Sequence, residues 1–158
     1  MRRLRFPPLT RRRLALAIAA GVVVLDQSTK WVAVRSLADG PVPLIDGFLQ
    51  FRLVENPGSA FSLLSGGGPV LAVIAMAAVV FIVFVAGRLG SSAEASAMGL
   101  VLGGAVGNLV DRVFRAEGFL DGRVIDFIDF DFFPTFNVAD SAITIGAILA
   151  VLLALRRR

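Results

Sequence analysis

Carboxylates and amides are the side chains of this sequence best suited to catalysis beside its apolar segments. The sequence contains no histidine and no cysteine. That excludes disulfides, thiolate nucleophiles, imidazole-bound metals and a serine–histidine–aspartate triad. Acid–base chemistry must therefore use carboxylates, lysine or water, and the first candidates are Asp126 and Asp140.

Asp126 and Asp140 occupy different local environments. Asp126 has large apolar neighbours throughout 124–128, where desolvation favours the neutral acid. Asp140 follows Asn137 at the spacing of a helix-capping pair, and a helix N-terminus favours an anion. If the two meet, they form the neutral and ionised carboxyls that an aspartic protease requires. The spacing does not show that they meet, and for Asn137 taken alone capping is the favoured role.

Four apolar stretches predict the elements that position these residues. The chain is 56% hydrophobic and 18% charged, with a mean hydropathy of +0.80. The stretches 14–34, 69–87, 96–113 and 138–155 approach the about 20 residues of a spanning helix. We predict a membrane all-α fold of four transmembrane helices, in a single domain covering 1–158.

The arginines predict the orientation of this bundle. Six precede the first stretch and three end the chain. Since four spans bring both termini to one side, the positive-inside rule places both in the cytoplasm. Arginines before an apolar run also occur in cleaved and twin-arginine signal peptides. A retained helix is favoured, because no cleavage site follows the run and the apolar pattern resumes at 31–34. Nucleic acid is not expected as a partner.

Two external segments, 35–68 and 114–137, connect the spans. Alternation within 48–54 predicts a short β-strand or hairpin between spans one and two. The second segment is rich in phenylalanine, aspartate and glycine. Gly58, Gly66, Gly67 and Gly68 would permit movement of the first segment or form ordinary turns. In span three, Gly99, Gly103 and Gly107 predict close helix packing.

Polar residues are predicted to converge at the outer membrane face. Charges there are costly and mark function or a paired structural site. The residues concerned are Asp26 and Lys30 of span one, Asn108, Asp111 and Arg112 of span three, Asn137 and Asp140 of span four, and Asn56 and Asp126 of the loops. An ion pair is the favoured role of Asp26 and Lys30. Asp111 and Arg112 could equally end a helix and hold the following loop.

Five segments in order resemble the bacterial lipoprotein signal peptidase family, also called signal peptidase II. They are DQSTK (26–30), NPGSAF (56–61), GGAVGNLVDR (103–112), VIDF (124–127) and FNVAD (136–140). The resemblance implies that Asp126 and Asp140 are the catalytic pair. It also implies substrate-binding or supporting roles for Asn56, Gly58, Asn108, Arg112, Asn137, Asp26 and Lys30.

The resemblance further implies a membrane-embedded aspartic endopeptidase. Its substrate would be a prolipoprotein, cut before a cysteine that carries diacylglycerol. It implies no metal and no organic cofactor, and a site at the outer face of the bacterial cytoplasmic membrane. Membrane lipid is the other expected partner, and we expect a monomer.

Other acids and other functions remain as alternatives. Asp121, Asp129 and Asp131 lie near Asp126; Asp129 is its strongest rival, although solvated loop charge is the favoured interpretation of all three. A transporter or ion-conducting subunit could also use carboxylates within the membrane. A metal-dependent, lipid-modifying transferase and a purely structural membrane protein are the remaining classes.

Overall fold

The computed structural model describes residues 8–58, 67–85, 89–115 and 120–156. Within these ranges the chain forms four helices and four strands. They are α1 Pro8–Ser36, β1 Val42–Ile45, β2 Leu49–Asn56, α2 Gly67–Val85, α3 Ser92–Phe114, β3 Val124–Phe130, β4 Phe133–Phe136 and α4 Val138–Leu155.

The helices coincide with the four predicted apolar stretches. α1, α3 and α4 are each long and apolar enough to cross a membrane, whereas the apolar part of α2, Pro69–Phe84, is shorter. Large apolar side chains cover the outside of the bundle: Val24, Val80 and Phe84 are 66%, 64% and 69% exposed. Such a surface suits lipid rather than water. The chain is therefore a membrane protein with a largely helical body.

Some sequence-based expectations fall on residues outside the described ranges, and others are changed by where the helices begin. Gly66 and residues 59–61 of the second family-like segment lie outside the described residues, as do the first three arginines. Gly67 and Gly68 belong to the first turn of α2, so these two are helical rather than part of a loop. α1 runs without a break through the polar residues 26–30.

α3 is the central helix of the bundle, because it packs against α1, α2 and α4. A Cβ added at Gly103 would lie 2.6 Å from Cβ of Val22 and 2.8 Å from the carbonyl oxygen of Ala19. A Cβ added at Gly107 would lie 2.7 Å from Oδ2 of Asp26. Side chains do not pack so closely, so the close approach predicted for these glycines is confirmed against α1.

The described parts of segments 35–68 and 114–137 form one antiparallel sheet in the order β1-β2-β3-β4. β1 and β2 form the predicted hairpin. The second segment supplies β3 and β4, which the sequence pattern does not reveal. Most of β3 is buried, so it lacks the alternation of polar and apolar residues that reveals a half-exposed strand. β2 pairs with β3 so that Val54 lies opposite Asp126.

The sheet packs against the C-terminal end of α1. Ala33 of this helix and Leu37, just after its end, are buried together with Phe127 of β3, and Phe51 of β2 packs alongside them. β3 is thereby fixed relative to the helices. Because Asp126 precedes Phe127 in this strand, it too is held beside the bundle.

Gly103→Ala should destabilise the bundle, because the added Cβ would overlap Val22 and the backbone of Ala19. We expect a loss of about 1–3 kcal/mol, measured as a lower midpoint of thermal unfolding in detergent. Gly21→Ala is the matched control, since a Cβ at this helical glycine would meet nothing within 4 Å. There alanine should stabilise the helix by up to about 1 kcal/mol. An unchanged midpoint for Gly103→Ala would contradict the close approach.

Candidate active site

The polar residues predicted to converge do meet, where the sheet packs on the helices. Asp126 lies in β3, Asp140 in the first turn of α4 and Asn56 at the end of β2. The remaining candidates are Asp26 and Lys30 in α1, Asn108 and Arg112 in α3, Gly58 just after β2 and Asn137 just before α4.

Asp126 is buried, and each of its carboxyl oxygens accepts an N–H donor. Its exposed fraction is 2%. Nδ2 of Asn137 lies 2.6 Å from Oδ1, and Nδ2 of Asn56 lies 2.9 Å from Oδ2. Burial raises the pKa of Asp126 to about 6; the Asn56 hydrogen bond opposes this and the charge of Asp140 adds to it. Desolvation therefore outweighs the two amide donors, and the neutral acid persists to higher pH than in an ordinary aspartate.

Asp140 completes the predicted capping box at the start of α4. The backbone N–H of Asn137 donates to its Oδ2 at 3.2 Å, and the N–H of Asp140 donates to Oδ1 of Asn137 at 3.0 Å. Nδ2 of Asn108 donates to the other carboxyl oxygen, Oδ1, at 2.8 Å. Asp140 is half-buried, so its carboxyl is the more accessible of the two.

Asn137 connects the two carboxyls. Its side chain is fully buried, and its Oδ1 accepts the N–H of Asp140. Nδ2 must therefore point the other way, toward Asp126. Nδ2 also lies 3.2 Å from Oδ1 of Asn108 and 3.3 Å from the carbonyl oxygen of Ile125. One side chain thus combines the predicted helix cap with a contact to the candidate pair.

The chain contains three asparagines, and all three donate to this pair. In Asn56 and Asn108, as in Asn137, a donor to the carboxamide oxygen fixes which way the NH2 group points. Gly58 N donates to Oδ1 of Asn56 at 2.8 Å, and Nζ of Lys30 donates to Oδ1 of Asn108 at 3.0 Å. Gly58 has a φ of 94°, a conformation that favours glycine.

A buried ion cluster adjoins the pair. Nζ of Lys30 lies 2.9 Å from Oδ2 of Asp26 and 2.7 Å from Oδ2 of Asp111, and all three side chains are fully buried. The predicted Asp26–Lys30 ion pair is confirmed, but the pairing of Asp111 with Lys30 was missed. Asp111 follows Asn108 by three residues and so shares its helix face, which could have indicated it. Asp111 also accepts the N–H of Ile125 at 3.3 Å, which holds the following loop.

Arg112 brings a further cation to the site. Its Nη1 donates to the carbonyl oxygen of Asn108 at 3.3 Å. Its Nε is buried and has no hydrogen-bond partner within the described ranges. A buried guanidinium with an unused N–H can bind a carbonyl or carboxylate oxygen of a bound peptide.

Asp129, the strongest rival of Asp126, belongs to a different interaction. It accepts two hydrogen bonds from Arg52, at 2.9 and 3.1 Å. Arg52 holds the pKa of Asp129 well below its usual range. The interpretation of Asp129 as solvated loop charge is wrong, because this residue is 7% exposed and paired across strands. Asp121 and Asp131 are exposed, as expected for solvated charges.

The arrangement supports general acid–base chemistry. One carboxyl is buried and has a raised pKa, and the other lies at a helix N-terminus with more access to solvent. Such a pair can divide the work between a base that activates water and an acid that polarises a carbonyl.

Comparisons with known proteins agree with this chemistry. A protein-family model described as Signal peptidase (SPase) II matches residues 18–156. The lipoprotein signal peptidase of Rhodococcus jostii (strain RHA1) is 48% identical over 151 residues, covering 94% of this chain and 76% of that protein. The lipoprotein signal peptidase of Mycobacterium avium (strain 104) is 48% identical over 149 residues, covering 94% and 82%. A bacterial membrane enzyme solved by the in meso method at 1.9 Å has a TM-score of 0.79 at 31% identity, over 91% of this chain and 94% of that one.

The raised pKa of Asp126 should make stability depend on pH. A carboxyl whose pKa rises from 3.8 to about 6 on folding loses stabilising free energy as the pH rises through that interval, by about 3 kcal/mol. Asp126→Asn cannot ionise, so its unfolding midpoint should rise relative to wild type from about pH 4 to about pH 6. The measurement is thermal unfolding in detergent, and a difference that is constant with pH would contradict it.

Asp129→Asn should show the opposite trend. Because Arg52 lowers the pKa of Asp129 in the folded protein, this carboxylate stabilises the fold near neutral pH and loses its contribution as the pH falls. The midpoint of Asp129→Asn should therefore lie below that of wild type near neutral pH and approach it in acid. A gap of constant size would contradict the ion pair.

Proposed function

Because the chain belongs to the signal peptidase II family of aspartic peptidases, we propose that Asp126 and Asp140 are its catalytic pair. The chain is a membrane-embedded lipoprotein signal peptidase, which removes signal peptides from prolipoproteins. One observation carries the residue assignment. Asn137 bridges the two carboxyls, donating through Nδ2 to Asp126 at 2.6 Å and through its backbone N–H to Asp140 at 3.2 Å.

In the proposed mechanism, a water molecule between the two carboxyls attacks the carbonyl carbon of the scissile peptide bond. The ionised carboxylate takes a proton from the water, and the neutral carboxyl donates a hydrogen bond to the developing oxyanion. The C–N bond then breaks as the leaving nitrogen accepts a proton. The raised pKa of Asp126 suits the acid, and the helix N-terminus at Asp140 suits the base. The proton is nevertheless shared by a coupled pair.

The proposed cleavage point is the bond before a cysteine that carries diacylglycerol. A signal peptide is an apolar helix, and the lipid on the cysteine holds that residue at the membrane interface. A catalytic pair at the same depth could cut the peptide while the signal-peptide helix and the lipid-carrying cysteine both stay in the bilayer. The Nε of Arg112 has no partner among the residues that the structure describes, so it is available for a backbone carbonyl of the peptide. Asn56 and Gly58 brace the Asp126 side of the site.

The proposed topology has four spans, with α2 as the second. α2 contains 19 residues, close to the about 20 that a span requires. The arginines at both ends support a topology with both termini in the cytoplasm and the proposed catalytic pair at the outer face of the bacterial cytoplasmic membrane. We propose that residues 1–158 act as a single domain and a monomer, with membrane lipid around the helices.

Asp126→Asn and Asp140→Asn should each lower cleavage of a purified diacylglyceryl-prolipoprotein by at least about 10³-fold. The assay is a gel shift without added metal, and circular dichroism and gel filtration verify that each variant is folded. Asp131→Asn is the control, because Asp131 is an exposed carboxylate in the β3–β4 turn. Normal cutting by both variants would refute the assignment. Activity that disappears on chelation would instead favour the metal-dependent alternative.

Single-cysteine variants should report the orientation, since the chain has no cysteine of its own. Asp46→Cys lies in the exposed β1–β2 turn and should react with a membrane-impermeant maleimide on intact spheroplasts. Arg12→Cys and Arg156→Cys should react only after the membrane is permeabilised. The reverse pattern would overturn the proposed topology.

A further inference from the structure

The ammonium group of Lys30 has three acceptors around it. They are Oδ2 of Asp26 at 2.9 Å, Oδ2 of Asp111 at 2.7 Å and Oδ1 of Asn108 at 3.0 Å. Two of them are carboxylates that need a counter-charge. The third is a neutral carboxamide, which does not. Since an ammonium has three protons, each acceptor can receive one.

The bond to Asn108 determines what Asp140 receives. Oδ1 of Asn108 faces Lys30, so its Nδ2 faces Oδ1 of Asp140 at 2.8 Å. If this carboxamide turned over, Nδ2 would face the ammonium and Oδ1 would face the carboxyl of Asp140. Donor would then meet donor and acceptor would meet acceptor. Lys30 therefore disfavours the turned-over state and keeps an N–H donor on Asp140.

The three site carboxamides differ in how they are held. Backbone N–H groups, of Gly58 and Asp140, fix Asn56 and Asn137, and no side-chain substitution removes them. Asn108 is instead held by side chains. Nδ2 of Asn137 lies 3.2 Å from its Oδ1 but is already 2.6 Å from Asp126. The charged donor, Lys30, is therefore the principal group that fixes Asn108.

We propose that Lys30 is a positioning residue, which acts on the catalytic pair through the carboxamide of Asn108. This inference rests on the catalytic roles proposed for Asp126 and Asp140. Lys30 is fully buried, so its loss should lower kcat more than it changes KM. A purely structural Lys30 would only neutralise its two carboxylates, and the effect of removing it would not depend on Asn108.

A double-mutant cycle on the purified full-length protein separates these two roles. We expect Lys30→Met and Asn108→Ala each to lower kcat by about 10²-fold, with KM changed by less than about threefold. The double variant should be no slower than Asn108→Ala alone, within about threefold, because residues that act through one contact are not additive. Losses that multiply would overturn the proposal.

A second cycle covers the case in which Lys30→Met does not fold. Its reference protein is the Asp26→Asn variant, which removes one buried negative charge. In the unsubstituted protein the N–H of Ala139 donates to Oδ1 of Asp26 at 3.0 Å, and the asparagine keeps an oxygen that can accept this bond. Lys30→Met and Asn108→Ala are then added singly and together. The same non-additivity is expected, and multiplying losses would again overturn the proposal.

Gln27→Met is the matched control for damage to the ion cluster. Nε2 of Gln27 donates to Asp26 at 3.1 Å and to Asp111 at 3.3 Å, and no bond joins it to Asn108 among the described contacts. This variant should lower the unfolding midpoint while kcat stays within about twofold of wild type. A kcat loss as large as that of Lys30→Met would support the structural role instead.

A spectrum can test the orientation without an activity assay. All three asparagines lie at the site, so selective ¹⁵N-asparagine labelling gives three side-chain amide signals. In Lys30→Met the Asn108 signal should shift while the Asn56 signal stays, and in Gln27→Met all three should stay. An unmoved Asn108 signal would refute this inference alone. Full activity of Asp126→Asn and Asp140→Asn would refute the catalytic assignment whatever the spectrum shows.

Discussion

Charge that is buried inside a lipid-facing bundle is the constraint on which the site depends. Asp26, Lys30 and Asp111 are fully buried, and removing one member of such a cluster costs about 3–5 kcal/mol, because its partners stay charged. The cluster ties α1 to α3, and Gly107 leaves room for the carboxylate of Asp26. Asp26 also accepts the backbone N–H of Ala139 in α4. One set of charges therefore aligns three helices beside Asp126 and Asp140, the proposed catalytic pair.

The two aspartates differ because different kinds of element carry them. Asp126 lies in a strand with neighbours on both sides, so the sheet and the bundle together exclude water from it. Asp140 lies in the first turn of a helix, where it forms a capping box with Asn137 and stays partly accessible to solvent. No single local structure supplies both environments. The site therefore lies where an interior strand of the sheet approaches the start of a helix, and Asn137 occupies the junction between them.

Local patterns predict the helices and much of the site, because hydropathy and short spacings need no knowledge of the fold. The Asp26–Lys30 pair follows from an i,i+4 spacing, and the capping box from an i,i+3 spacing. The sheet was only half predicted, since β3 is buried and finds its partner far along the chain. The partner of Asp129, Arg52, is likewise 77 residues away. A single sequence carries no local signal for such distant pairings.

The pairing of β2 with β3 also determines when the sheet can form during synthesis of the chain. β2 precedes α2 and β3 follows α3, yet the two strands are neighbours. Asn56 and its partner Asp126 are 70 residues apart, so at about 5–20 residues per second translation needs roughly 4–14 s to deliver the second strand. During that interval the first hairpin exposes an unpaired edge. Asp126 and Asp140 both follow α3, so a nascent chain whose synthesis stops within α3 lacks both members of the proposed catalytic pair and is expected to be inactive.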